Sequence, residues 1–198
     1  MSLEEFRSEV RDRKRFQFGR NWKRFLTNLN EERIKEAECS LKSMLEVKNL
    51  TGKTFLDVGS GSGLFSLAAK NLGADVVSFD YDEASVWCTS ELKNRYYKRD
   101  GTWKVMQGSI LDIKFLETLG KFDYVYSWGV LHHTGEMWRA LDNVVRLVQP
   151  NGSLFIALYN HQQFVSQYWT FVKRTYNKFP ISRPLWIFLH FLYPTLPS

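Results

Sequence analysis

The segment Thr54–Phe65 reads TFLDVGSGSGLF and decides the fold. Its first half is a short apolar run of the kind that forms a strand buried on both faces. Its second half contains Gly59, Gly61 and Gly63, which permit a sharp bend and a close approach of a ligand to the backbone. Over residues 64–72 the apolar positions recur with helical spacing. The segment therefore predicts a turn at a helix N-terminus, where open α/β folds bind nucleotides.

The glycine spacing and the acid before it distinguish between ligands. A dinucleotide fingerprint, G-x-G-x-x-G, would need its third glycine at position 64, which is Leu64. Asp57, two residues before the first glycine, would be a poor neighbour for a pyrophosphate but suits a cationic ligand. S-adenosylmethionine carries an ammonium and a sulfonium and no phosphate. We therefore interpret Asp57 and the loop, including Ser60, as its binding site.

Composition limits the class of protein. The 198 residues predict one domain with a sizeable core, and 44% hydrophobic residues exclude a disordered chain. Cys39 and Cys88 show neither a pairing signature nor metal-ligand spacing, so we expect reduced thiols, a cytoplasmic protein and no metal site. The net charge of +6 is compatible with nucleic acid or with an anionic small substrate.

The chain divides into three predicted parts. Residues 1–49 combine a basic, aromatic arm with a helix that Asn30 caps, and we interpret the arm as a lid over the cofactor. The alternative is an arm that packs on the domain through its aromatic side chains. Residues 50–160 form the cofactor-binding core, and residues 161–198 form an aromatic helical extension.

A second strand is predicted at residues 75–80, and it ends in an acid. The carboxylate of Asp80 is placed to accept hydrogen bonds from both ribose hydroxyls of a nucleoside. Tyr81 follows it and can lie flat on the adenine. Asp82 is expected to cap the next helix, roughly residues 83–98, and not to contact ligand.

A third strand is predicted at residues 103–108 because its polar and apolar residues alternate. The turn after it brings Ser109 and Ile110 toward the adenine edge and face. The alternative is an ordinary strand-to-helix turn that Asp112 caps.

The fourth strand, residues 122–128, leads to the rim on which a substrate would arrive. The backbone around Ser127 is expected to hold the methionine end of the cofactor, and Trp128 is predicted to bind the cofactor as a wall of the pocket. His132 and His133 follow, and histidine has a pKa suited to a general base near neutral pH. The alternative is that one histidine packs under the sheet edge and the other fixes the loop by hydrogen bonds.

The core ends in one more helix and strand. The helix is predicted to bury one face, formed by Trp138, Leu141, Val144, Val145 and Val148. A turn at residues 149–152 then leads to an apolar strand at residues 153–158. Alternating strands and helices predict an α/β, Rossmann-like doubly wound, mostly parallel sheet with helices on both faces.

These landmarks together resemble the class I S-adenosylmethionine-dependent methyltransferases of the small-molecule type. Residues 56–63 resemble the family's first motif, Asp80 its ribose acid and residues 108–112 its adenine turn. Residues 122–133 resemble its FD-x-V-x-S-x-x-x-LHH strand, and residues 148–154 its L-x-P-G-G-x-L turn. The resemblance implies S-adenosylmethionine as methyl donor, S-adenosylhomocysteine as product, and an oxygen or nitrogen of a small molecule as acceptor.

The chain departs from the family at three points. Ser109 stands where many relatives have an acid, and Asn151 where they have a glycine. After Leu158 there is a helix-like stretch, residues 161–179, and no alternating strand pair, so we expect the family's C-terminal strand pair to be missing. The aromatic tail is too short to cross a bilayer. It is predicted to cover the substrate pocket or to contact missing strands or a second subunit; contact with a membrane surface is the alternative.

Other classes of function stay open at this point. The basic arm suggests an RNA or DNA methyltransferase, but the chain lacks an Asn/Asp-Pro-Pro-Tyr signature and a Pro-Cys nucleophile. The missing strands suggest a non-catalytic subunit that binds S-adenosylmethionine, or a homodimer. An NAD-binding protein is the weakest alternative because of the glycine spacing.

Overall fold

The computed structural model describes residues 25–159, 163–179, 183–184 and 186–187. These residues fall into two compact units, one ending at Leu158 and the other beginning at Tyr159. Residues 1–24 of the predicted arm and residues 161–162, 180–182, 185 and 188–198 of the predicted extension lie outside the described residues, so the lid and tail interpretations remain predictions.

A five-stranded parallel sheet forms the first unit. Its strands are Thr54–Val58 (β1), Asp75–Asp80 (β2), Trp103–Gln107 (β3), Phe122–Trp128 (β4) and Val148–Ala157 (β5). Its helices are Glu31–Leu45 (α1), Leu64–Asn71 (α2), Glu83–Tyr97 (α3), Ile113–Glu117 (α4) and Met137–Val145 (α5). The strand order is β3-β2-β1-β4-β5, with all described neighbours parallel. The doubly wound fold is confirmed, and the order reverses between β1 and β4, where such sheets bind ligands.

Two hydrophobic cores lie on opposite faces of the sheet. Phe55 packs with residues of α1, α2 and α3 on one face, and Leu56 packs with residues of α4 and α5 on the other. Both side chains are fully buried, because successive residues of a strand point to opposite faces. The predicted burial of β1 on both faces is therefore confirmed.

Polar caps fix where three helices begin. The side chains of Asn30, Asp82 and Asp112 each accept a backbone N–H from the first turn of α1, α3 and α4. Each bond satisfies a donor that a helix N-terminus leaves without an intrahelical partner. The caps at Asn30 and Asp82 were predicted from the sequence, and the cap at Asp112 was the alternative given for the turn after β3.

The predicted face of α5 was wrong at two positions. Trp138 is 74% exposed and Val145 56% exposed, whereas the predicted Val144 is buried together with Ala140 and Asn143, which were not predicted. The inward face includes a polar residue because the Asn143 side-chain amide donates to the Ile110 carbonyl oxygen at 2.9 Å. A hydrogen bond to another part of the chain thus helps to decide which face of α5 points inward, and such a bond cannot be read from helical periodicity.

The predicted turn at residues 149–152 lies inside β5, which was expected to begin only at residue 153. The pairing of β4 with β5 shifts register between Phe122 and Tyr124, and Asn151 has a left-handed φ of 65°. The strand therefore begins earlier than predicted and contains an irregular bulge.

The second unit contains the helix Gln163–Lys178 (α6), which agrees with the predicted helix-like stretch. Within it Val172 is buried, and the ring of Phe171 meets that of Trp186 edge-on at 6.0 Å. Among the described residues of this unit no strand is present. None of the described helices has the length and apolar character that crossing a membrane requires.

Candidate cofactor site

The glycine loop between β1 and α2 adopts a backbone that glycine permits. Gly59, Gly61 and Gly63 have φ values of 78°, 55° and 80°. A Cβ on Gly63 would lie 2.9 Å from the Cα of Thr89 on α3, closer than real contacts allow. The Ser60 hydroxyl also bonds the Thr89 hydroxyl at 2.9 Å, so α3 fixes the loop from behind.

The N–H groups of this loop are used within the protein. Gly59 and Ser60 both donate to the carbonyl oxygen of Phe79, at 2.8 and 3.1 Å. Gly61 donates to Asp80 Oδ2 at 2.9 Å, and Gly63 donates to the Ser60 carbonyl oxygen at 2.8 Å. A phosphate-binding loop points such groups at its ligand. This arrangement therefore does not favour a phosphate.

Asp80 closes the loop from the end of β2. Its Oδ2 accepts the Gly61 N–H and its Oδ1 accepts the Asp82 N–H, each at 2.9 Å. Burial raises the pKa of Asp80 to about 6, and the hydrogen bond from Gly61 opposes the increase. The carboxyl that the sequence assigned to the ribose thus lies directly against the loop.

Asp57 lies on the other side of the loop and is 3% exposed. The hydroxyl of Ser66, on α2, donates to Asp57 Oδ2 at 2.5 Å. Burial raises the pKa of Asp57 to about 7; the bond from Ser66 lowers it, and the charge of Asp80 raises it further. Ser66 was not predicted as a site residue. Its position in the first turn of α2 could have indicated a contact with the preceding strand.

The predicted adenine turn is ordered by its own hydrogen bonds. The Ser109 hydroxyl accepts the Leu111 N–H at 3.2 Å, and Ile110 is only 4% exposed in the second core. The carbonyl oxygen of Tyr81, across from the turn, accepts the Gln107 side-chain amide at 3.2 Å. The backbone of the turn thus lies beside the end of β2, while the Ile110 side chain packs inward.

The end of β4 forms the rim of the site. The hydroxyl of Ser127 is buried and donates to the Val58 carbonyl oxygen at 3.1 Å, which ties β4 to β1. Trp128 is 49% exposed, and its ring lies nearly parallel to those of Phe65 and Phe155, at interplanar angles of 18° and 10°. The rim is therefore an aromatic surface beside the glycine loop.

The two predicted catalytic histidines follow on a 3₁₀ turn, Leu131–His133. Their ring centroids are 4.0 Å apart. Burial lowers the pKa of His132, and burial together with the charge of His132 lowers that of His133. Both imidazoles are thereby favoured in the neutral form, which can accept a proton.

Comparison with known proteins agrees with this geometry. A family profile described as a methyltransferase domain matches residues 56–156. The chain is 31% identical over 116 residues to the ubiquinone biosynthesis O-methyltransferase of Pseudomonas paraeruginosa, covering 58% of this chain and 48% of that protein. It is 29% identical over 137 residues to the enzyme of that name from Coxiella burnetii, covering 69% and 56%. The chain thus spans about half the length of these curated relatives.

Two solved structures share the fold. Magnesium protoporphyrin IX methyltransferase from Synechocystis, with S-adenosylhomocysteine bound, has a TM-score of 0.56 and 20% identity over 74% of this chain and 63% of that one. A Methanococcus maripaludis protein, mmp1179, has a TM-score of 0.57 and 14% identity over 86% and 77%. The chain therefore belongs to the methyltransferase-domain family and has the fold of the class I S-adenosylmethionine-dependent methyltransferases.

Proposed function

We propose that this chain binds S-adenosylmethionine and transfers its methyl group to an oxygen or nitrogen of a small molecule. The observation that carries the proposal is the loop itself. Its N–H groups at Gly59, Ser60, Gly61 and Gly63 are used internally, while two carboxylates flank it, Asp57, which is buried, and Asp80, which is partly buried. Such a site suits a cationic nucleoside and not a pyrophosphate.

The residues fit the parts of that cofactor. Asp57 and the loop backbone would hold the amino-acid end, beside Ser127 and Trp128, and Asp80 would hold the ribose. The adenine would lie beside Tyr81, Ser109 and the backbone of Ile110, whose side chain packs into the core. When bound, the cofactor supplies a methyl carbon activated by a sulfonium. The chain's own task is to align the acceptor behind that carbon and to exclude water.

A neutral histidine on the rim would remove the proton of an alcohol acceptor. His132 and His133 both have lowered pKa values, so one nitrogen of each neutral imidazole can accept a proton at neutral pH. One of the two would accept the acceptor's proton as the new bond to carbon forms, and His133 is the more exposed, because both ring nitrogens of His132 are buried. Replacing the base by alanine should lower kcat by about 100-fold or more and leave the Kd for S-adenosylhomocysteine unchanged.

The acceptor class is proposed from the curated relatives. Two of them are named as O-methyltransferases of ubiquinone biosynthesis. A shorter match, 41% identical over 69 residues, is to the ribosomal protein L11 methyltransferase of Helicobacter hepaticus, covering 34% of this chain and 21% of that protein. A protein acceptor is therefore the second candidate. Cys39 and Cys88 are not joined in a disulfide, which supports a reducing, cytoplasmic location.

Transfer of tritium from methyl-labelled S-adenosylmethionine tests the proposal. The protein is incubated separately with a low-molecular-weight cell extract, with total RNA and with ribosomal protein. We expect label in the small-molecule fraction and none when Asp80→Asn replaces the wild type. Label in RNA or protein would refute the small-molecule acceptor. Tight cofactor binding with no labelled fraction would support the non-catalytic subunit.

A further inference from the structure

A line of buried hydrogen bonds connects the far edge of the sheet to the acid of the glycine loop. The indole N–H of Trp103, on β3, donates to the Ser78 hydroxyl on β2 at 2.9 Å. Ser78 donates to the Ser66 hydroxyl on α2 at 2.7 Å, and Ser66 donates to Asp57 Oδ2 on β1 at 2.5 Å. Trp103, Ser78 and Ser66 are fully buried, so water does not compete for these bonds.

The first member of this line favours one direction for the bonds that follow. An indole nitrogen can only donate, so Ser78 accepts from Trp103 and can give its own proton to Ser66, which can give its proton to Asp57. In the reversed line Ser78 would accept from both Trp103 and Ser66. The Ser78 proton would then lose Ser66 as its acceptor in a fully buried position, which is unfavourable.

We propose that Trp103 is a positioning residue that, through Ser78 and Ser66, favours Asp57 as the acceptor of the Ser66 hydrogen bond and thereby favours its anionic form. The inference rests on the proposed function, because an anionic Asp57 is what attracts the cationic end of the cofactor. A protonated Asp57 could donate to Ser66 only in the reversed line, and a protonated Asp57 that still accepts from Ser66 receives a weaker hydrogen bond than the anion does.

The other groups that face Asp57 do not supply this effect. Asp80, at the end of β2, carries a like charge that disfavours an anionic Asp57. Tyr126, on β4, is buried; its pKa is raised by burial and by the charge of Asp57, and among the described residues its hydroxyl has no hydrogen-bond partner. Ser66, through its hydroxyl and its backbone N–H, thus opposes the effect of burial on the pKa of Asp57, and Trp103 favours the direction of the hydroxyl bond.

The test is a titration of the Asp57 carboxyl carbon by NMR in the ligand-free protein. Asp57→Asn identifies the resonance. Ser66→Ala should move the titration midpoint up by about one pH unit, because a hydrogen bond to a charged acceptor is lost. Trp103→Phe should move it up by a smaller amount, since Ser66 and Ser78 can then reverse.

Two further variants separate positioning from packing. The double variant Trp103→Phe/Ser66→Ala should shift the midpoint no further than Ser66→Ala alone, because the two residues act in one line. Leu92→Ala opens a cavity in the same core without removing a polar group, so it should lower Tm and leave the midpoint unchanged. Should Trp103→Phe fail to fold, Ser78→Ala breaks the same line and should raise the midpoint.

An unchanged midpoint in Trp103→Phe, or in Ser78→Ala when that variant is used instead, overturns the proposal. A second titration, of S-adenosylhomocysteine affinity against pH in these variants, separates it from the proposed function. If the pH midpoint of binding shifts in parallel with the midpoint of the carboxyl titration, both the proposed function and the role of Trp103 are supported. Absence of binding by the wild type refutes the proposed function, and the carboxyl titration still decides the role of Trp103.

Discussion

Replacement of Asp57 by asparagine should stabilise the ligand-free protein while it weakens cofactor binding. Asparagine keeps the shape of the side chain, and its carbonyl oxygen can still accept the hydrogen bond from Ser66. What it removes is a charge in a site that is 3% exposed. The expected result is therefore a gain in the free energy of unfolding and a loss of affinity for S-adenosylhomocysteine.

The magnitude follows from the pKa of Asp57, which burial raises from 3.8 to about 7. Because the folded pKa lies above the unfolded one, the unfolded chain ionises first as pH rises. Stability is therefore lost between about pH 4 and pH 7, by up to about 4 kcal/mol at about 1.4 kcal/mol per unit. The asparagine variant should recover much of this at pH 8 and little at pH 4.

Urea unfolding at pH 4 and pH 8 measures the effect, with the slope of the transition compared between variants. Asp123→Asn is a matched control of opposite sign, because hydrogen bonds from Thr54 lower the pKa of Asp123. It should destabilise the protein at pH 8. Equal changes at the two pH values for Asp57→Asn, or a destabilisation at pH 8, would refute the reasoning.

Two further pairs of substitutions, each with its control, test the loop and the edge of the sheet. Gly63→Ala should destabilise the protein by more than about 2 kcal/mol and abolish cofactor binding, because it adds a contact with Thr89 to the strain of a positive φ. Gly120→Ala, at φ 79° with nothing within 4 Å of the new Cβ, should cost only about 1 kcal/mol in urea unfolding. Lys70→Met should lower the free energy of unfolding by roughly 1–3 kcal/mol, because this nearly buried ammonium donates to three oxygens. Its control, Arg95→Met, removes a partner of an exposed ion pair and should change the free energy of unfolding by less than about 0.5 kcal/mol. Equal losses within either pair would contradict the respective account.

Local signals in the sequence were sufficient for most of the fold. The glycine loop, the caps at Asn30 and Asp82 and the apolar strands depend on residues close together in the chain, so their patterns are readable. The order of the landmarks then identified the doubly wound sheet. The inward face of α5 was not readable, because it depends on Asn143 meeting the Ile110 carbonyl oxygen 33 residues away.

The sequence predicted the two carboxylates of the candidate site but not the residues that form hydrogen bonds with them. Asp57 and Asp80 stand at fixed places relative to the glycines. The line from Trp103 through Ser78 and Ser66 joins residues on three different elements, and the register of neighbouring strands brings them together. The spacing of Ser66, Ser78 and Trp103 along the chain matches no recognisable sequence motif. His132 and His133 lie on the 3₁₀ turn that follows β4, and their role as base stays a prediction.

Calorimetric titration of the wild-type chain with S-adenosylhomocysteine and, separately, with NADH tests the central claim most directly. The carboxylates of Asp57 and Asp80 beside the loop and the internally used N–H groups predict saturable binding of S-adenosylhomocysteine that Asp80→Asn abolishes. They also predict no binding of NADH. Saturable binding of NADH, with none of S-adenosylhomocysteine, would contradict the account of this site.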